Sequence, residues 1–234
     1  MRHIGIAALC VLLLPPAAAF TQEQPYSIAL FGTFISSSKL FHHPEDPDQI
    51  IRSQFLPLDD IFSAGIDLRR NLEQFRVQIG LSAEYISKTE MVAIPITSTS
   101  SIPAQDGFTA IPIELSGYFL IPLGETKLQI YMGGGGGIYL GTRNYRLGGA
   151  EAPTVERNTG YGIHVLSGIE YWLRPSVSLR SDLKFRDVQF ETINRFETLS
   201  TTYLGSTILL DQTPLQSRIS IDGMTVTLGV VVHF

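Results

Sequence analysis

Apolar and polar residues alternate at every second position over much of this sequence. The clearest run is Phe75 to Tyr85, where Phe75, Val77, Ile79, Leu81, Ala83 and Tyr85 share one face. Arg76, Gln78, Gly80, Ser82 and Glu84 share the other. Strict alternation over 11 residues predicts a strand with one greasy and one polar face. A tilted strand needs about 9–11 residues to cross a bilayer, so the length also fits a membrane strand.

The pattern recurs seven more times. Tyr26–Phe34, Phe62–Leu68, Ile111–Phe119, Leu128–Leu140, Ile163–Tyr171, Val177–Phe185 and Met224–Phe234 each carry an apolar stripe at period two. The expected fold is therefore all-β, an antiparallel transmembrane β-barrel of about eight strands with a polar interior filled by side chains. Short turns fall near Arg70–Gln74, Ile121–Thr126 and Arg174–Ser176, and long polar loops at 36–60, 88–107, 141–159 and 188–218. Short turns on one side and long loops on the other are the outer-membrane arrangement. An even strand count then puts both termini on the periplasmic side. A fifth hairpin within 188–218 would make ten strands, but Asn194, Arg195 and Glu197 interrupt its stripe, so eight is the expected number.

Aromatics sit at the ends of the apolar stripes. Phe75, Phe119, Tyr171 and Phe234 lie by the short turns or the last residue, and Phe34, Phe62, Tyr85, Tyr161 and Phe185 lie by the long loops. Two girdles at two interfaces account for this. A water-soluble barrel would show the same alternation with its apolar face inward. The aromatic ends and the N-terminal segment favour the membrane form.

That segment has Arg2, an apolar run from Ile4 to Leu14, then Pro15, Pro16 and three alanines. It reads as a secretory signal over residues 1–19, with the barrel domain spanning 20–234. The single cysteine, Cys10, falls inside the signal, and Leu9 before it argues against lipidation. Without the signal the chain holds 16 basic and 22 acidic residues, which gives no electrostatic basis for binding nucleic acid.

The strand Met224–Phe234 resembles the targeting signal of bacterial outer-membrane proteins, with Val230, Val232 and the terminal Phe234 at alternate positions. Gly168–Phe185 resembles a hairpin of the OmpA/OmpX-like family of small outer-membrane barrels. The resemblance implies a bacterial outer-membrane location, outer-membrane lipids as surroundings, and recognition of the last strand by the barrel-assembly machinery. It also implies roles as varied as anchors, adhesins, host-factor binders and small pores. It carries no chemistry.

The inward charges are Asp67, Arg69, Arg76, Glu84, Glu114, Glu170, Arg180, Asp182, Lys184 and Arg186. In so narrow a barrel they must meet, because an unpaired buried charge costs several kcal/mol. Hairpin register suggests Asp67 opposite Arg76 and Glu170 opposite Arg180. The expectation is an ion-paired core with no wide channel; a gated path for protons or ions is the alternative.

Other clusters read as structural. Gly133–Gly137 lacks the Lys-Ser/Thr of a phosphate loop and reads as a strand kept thin for bulky neighbours. His42, His43, Glu45, Asp46 and Asp48 could offer metal ligands, yet Pro44 and Pro47 limit their convergence. His164 and Ser167, three apart on a strand, point to opposite faces, and no Ser-His-acid set emerges. No catalytic, cofactor or metal site is therefore expected. Loop 36–60, with Leu40, Phe41, Ile50, Ile51, Phe55, Leu56 and Leu58, and loop 188–218, with Tyr203, Leu204, Ile208, Leu209 and Leu210, either pack on themselves or meet an extracellular ligand. The leading expectation is a non-enzymatic outer-membrane anchor or surface-interaction protein. A narrow passage for small or hydrophobic solutes and a lipid-acting enzyme are the alternatives.

Overall fold

A computed structural model describes residues 24–97, 100–123 and 127–234. The segment read as an export signal lies outside them, as does part of the turn after Ile121. Thirteen strands are present among the described residues: β1 (Tyr26–Phe41), β2 (Phe55–Leu72), β3 (Val77–Thr97), β4 (Ser100–Ile121), β5 (Leu128–Leu147), β6 (Ala150–Ala152), β7 (Thr154–Arg157), β8 (Gly160–Arg174), β9 (Val177–Asn194), β10 (Ser200–Tyr203), β11 (Ser206–Leu209), β12 (Leu215–Ile221) and β13 (Met224–His233).

Eight strand paths close a ring, each antiparallel to the next. The order is β1, β2, β3, β4, β5, β8, β9 and then β12 continued by β13, which pairs back onto β1 from Ser27↔His233 to Ile35↔Thr225. The hairpin β10–β11 pairs only with itself, outside the ring. The extra hairpin in 188–218 thus exists, but it adds no wall strands.

Period-two alternation puts large apolar groups on the outside of the wall. Leu30, Leu115 and Leu228 are 67 %, 59 % and 65 % exposed, an arrangement stable only against lipid. Phe62, Tyr85, Tyr161 and Phe185 ring one end of this band, and Phe75, Phe119, Tyr171 and Phe234 the other. The fold is a transmembrane β-barrel.

Ring strands such as β3 and β4, at 21 and 22 residues, are about twice the length a bilayer requires. The segment 88–107, expected as a loop, is instead a paired continuation of β3 and β4 from Lys88↔Phe108 to Ile94↔Ile102. At the base of this extension the polarity inverts. Ile86, Phe108, Ala110, Tyr139, Val188, Phe190, Ile219 and Ile221 now face inward and are fully buried, and Ser87, Thr109, Thr142 and Gln189 face out. Beyond the membrane the barrel follows the rule for a barrel in water. Loops 141–159 and 188–218 are likewise shortened by the extensions of β5 and β9 and by β12.

On β1 and β2 the inversion coincides with a slip in alternation. Ile35 and Leu40 both point in, five residues apart, as do Leu58 and Ile61, three apart. Asp60 absorbs the slip with a positive φ of 54°, a conformation that Asp tolerates better than most residues.

Candidate functional site

From the short-turn end upward, the lumen holds an ion-paired core, an apolar septum and a polar cluster under a cleft. In the core, Asp67 Oδ2 accepts from Arg69 Nε at 2.6 Å and from Arg180 Nη1 at 3.0 Å. Arg180 Nη2 also lies 2.9 Å from Glu170. Arg69 sits 3.5 Å from Asp182 and stacks 3.7 Å from the centroid of the Tyr118 ring. Tyr131 donates to Asp182. Higher up, Arg186 meets Glu84 at 2.9 Å, Lys184 meets Glu114 at 2.6 Å, and Tyr139 donates to Glu114. A residual cavity of about 20 Å³ is left among these groups, room for about one water.

Arg76 is not among them. The chain reverses through a 3-10 turn at Glu73–Phe75, and Arg76 follows it at φ 51°, exposed. This turn shifts the register, so Asp67 stands opposite Ser82 rather than Arg76. Glu170 does stand opposite Arg180.

The glycine run explains how the core fits. Gly133, Gly135 and Gly137 face inward on β5, and Gly135 lies in register between Ser116 on β4 and His164 on β8. With no side chain between them, Ser116 Oγ and His164 Nε2 meet at 2.8 Å across the intervening strand. Glu114 is 3.8 Å from His164 Nδ1. This Ser-His-Glu grouping was hidden from sequence inspection, because His164 pairs across β5 and not with Ser167. It is buried, and Glu114 is committed to Lys184 and Arg186, so there is no room for a substrate.

At the short-turn end the last strand is locked in. His233 Nε2 lies 2.9 Å from both Ser178 and Glu170, and its ring stacks on Trp172 at 3.9 Å. Phe234 exchanges backbone bonds with Tyr26 at 2.9 and 3.1 Å. Val230, Val232 and Phe234 face outward on this seam.

Above the core lies the septum. Val188, Phe190, Phe108, Ile219, Ile86 and Ile61 fill the lumen with no polar partner among them. Phe108 and Phe190 meet edge to face at 6.1 Å. A Cβ at Gly141 would collide with the Phe190 ring, and one at Gly160 would come within 2.9 Å of Phe190 Cβ. Both glycines leave room for that side chain.

Over the septum, Arg143 donates to Asp106 through Nε at 2.8 Å and Nη2 at 2.6 Å, and to Ser217 at 2.6 Å. His42 Nε2 is 2.8 Å from the same carboxylate. Burial pushes the Asp106 pKa up, but hydrogen bonds from His42 and Arg143 and the Arg143 charge outweigh it and hold Asp106 below the ordinary range. A cleft of about 350 Å³ opens here, walled by Leu56, Val92, Ile94 and Leu215. Asp106 and Arg143 fell in segments expected to be loops; continued alternation past Ile86 was the available signal. In loop 36–60, Asp46 and Asp48 accept from backbone N–H groups two residues on. Among the described residues no three His, Cys, Asp or Glu side chains gather to hold a metal. Leu40 and Leu58 are buried, whereas Ile50, Leu204 and Leu209 are exposed.

No protein-family model matches the sequence, and neither does any curated protein. The fold is similar to that of the outer membrane protein OprG from Pseudomonas aeruginosa. That alignment covers 90 % of this chain and 96 % of that chain, with 13 % identity and a TM-score of 0.60. Neisserial surface protein A aligns more loosely, over 89 % of this chain and 97 % of that chain, with 15 % identity and a TM-score of 0.48. The likeness to OprG shows the fold alone: a small β-barrel of the kind found in outer-membrane proteins.

Proposed function

We propose that this chain is a closed, non-enzymatic integral outer-membrane protein, anchored by its barrel and acting through the strands and loops that project beyond the lipid. Both termini lie on the periplasmic side, and the loop end faces outward. The export signal is removed, and the assembly machinery reads Val230, Val232 and Phe234 on the exposed final seam. The observation that carries this reading is the double obstruction of the lumen. A salt-bridged core, with a cavity of about 20 Å³ among its charged groups, lies in series with an apolar septum. Charge-paired side chains resist displacement by a passing ion, and a dry apolar layer resists wetting.

Planar-bilayer recording of the refolded protein is the test. The expected result is a flat baseline without stable openings. Steady conductance of porin size would overturn the closed-barrel reading and favour a passage for solutes.

A further inference from the structure

The outer surface of β3, β4 and β5 changes character abruptly. The lipid-facing stripe ends at Tyr85, Ile111 and Leu140, and the next outward positions are Ser87, Thr109 and Thr142. Thr109 accepts from Asn144 at 2.8 Å and lies 3.2 Å from Ser87 Oγ. This boundary marks the height at which hydrocarbon gives way to lipid headgroups.

At that height the wall is notched. Pairing between β5 and β8 stops at Tyr139↔Gly160, and β5 regains a partner on that side only at Tyr145↔Ala152. The chain between swings across to β9, where Arg157 pairs with Thr192. The notch opens as a cleft of about 470 Å³ lined by Gln105, Thr142, Asn144, Arg146, Glu151 and Arg157, among others. Arg146 is salt-bridged to Glu151, and Arg157 is exposed. Arg143 also lines the cleft but is paired with Asp106, so Arg146 and Arg157 against Glu151 leave a net positive cleft, and the amides and hydroxyl add neutral hydrogen-bonding groups.

We infer that this notch binds the phosphorylated sugar headgroup of an outer-leaflet glycolipid. Height selects a lipid, because the cleft opens sideways just above the aromatic girdle. Chemistry selects the head: guanidinium forks match phosphate, and Gln105, Asn144 and Thr142 match sugar hydroxyls. In the bound state a phosphate takes the place of Glu151 at Arg146. The inference rests on the proposed outward orientation of the loop end, which protease mapping in whole cells tests independently of any binding.

Native mass spectrometry of the full refolded chain in detergent, with lipid A as the probe, tests the site. The expected result is one retained lipid A, with weaker retention of phosphatidylglycerol, which lacks the sugar, and of glucosamine 1-phosphate, which lacks the chains. Arg146→Ala and Arg157→Ala should each weaken lipid A binding about tenfold or more, the scale of a lost charge-assisted hydrogen bond. Glu151→Gln should tighten it by removing the competing carboxylate, a change that a purely structural loop pair would not produce. Heat-modifiability on a gel verifies that each variant is folded. Equal retention of phosphatidylglycerol would overturn sugar recognition, and equal retention of glucosamine 1-phosphate would overturn the lipid. Unchanged lipid A binding in both arginine variants would overturn the site itself.

Discussion

Arg180 reaches from β9 to Asp67 on β2 and to Glu170 on β8, and so ties three wall strands through one guanidinium. Truncating it leaves two buried carboxylates short of a partner. Breaking a buried pair in this way typically costs about 3–5 kcal/mol. Arg180→Ala should therefore lower the urea midpoint of the refolded barrel strongly, whereas Arg76→Ala, at an exposed turn, should stay within about 0.5 kcal/mol of the parent. Equal effects would mean that Arg76 belongs to the core after all. Asp106 makes a separate prediction, since its pKa is lower in the folded chain than in the unfolded one. The stability it contributes is fully present above the ordinary carboxylate pKa of about 3.9 and is lost as pH falls through the folded value. Amide exchange near His42 and Arg143 should accelerate as the pH drops below about 4, after correction for intrinsic exchange rates. Asp106→Asn should remove that component of the pH dependence.

At the scale of elements, the membrane-spanning stretches were legible because one rule governs them: apolar out, polar in. Phe75–Tyr85 carried enough period to define a strand, and its start moved by two residues, to Val77, because Glu73–Phe75 winds into a turn. The extensions beyond the membrane were not legible by the same rule. Ile86 follows Glu84 on the same inward face, so a search for a persistent polar stripe stops there, although the strand continues to Thr97. The slip at Asp60 hid the first part of β2, from Phe55 to Ile61, in the same way, by breaking the parity that links Leu58 to Ile61. Alternation placed Asp67, Glu170 and Arg180 toward the lumen but misplaced Arg76, and of the partners hairpin register gave Glu170 with Arg180 but not those met across the lumen. Pairing depends on which strands face each other across the lumen, as with Arg186 and Glu84, or across a glycine gap, as with Ser116 and His164. Sequence spacing within one hairpin carries neither relation.

For the whole molecule, the inversion of polarity divides one continuous wall into two barrels of opposite logic, joined at the septum. Below it, lipid solvates the outside and ion pairs fill the inside; from the septum upward, polar groups such as Ser87, Thr109 and Thr142 take the outside, and the inside holds the apolar layer capped by the Arg143–Asp106 cluster. The septum should therefore be a barrier to water-soluble reagents arriving from the loop end. The single cysteine of the sequence, Cys10, lies in the expected export signal, so introduced thiols can report on that barrier. Val92 lines the cleft above the septum, and Ser63, bonded to Glu84 at 2.5 Å, lies inward below it. In vesicles with the loop end outward, Val92→Cys should react readily with an impermeant thiol reagent and Ser63→Cys should be protected. Adding Phe190→Ala to Ser63→Cys removes the ring packed against Phe108 and sited over Gly141. That truncation typically costs about 3–5 kcal/mol, which small barrel deletions of this kind must tolerate to be informative, so heat-modifiability has to be retained in the double variant. Ser63→Cys should then become reactive from the loop side while conductance stays absent, because the ion-paired core below still closes the lumen. Reactivity of Ser63→Cys equal to that of Val92→Cys in the parent would show that the apolar layer admits water, and the closure of the barrel would then fall to the salt bridges alone.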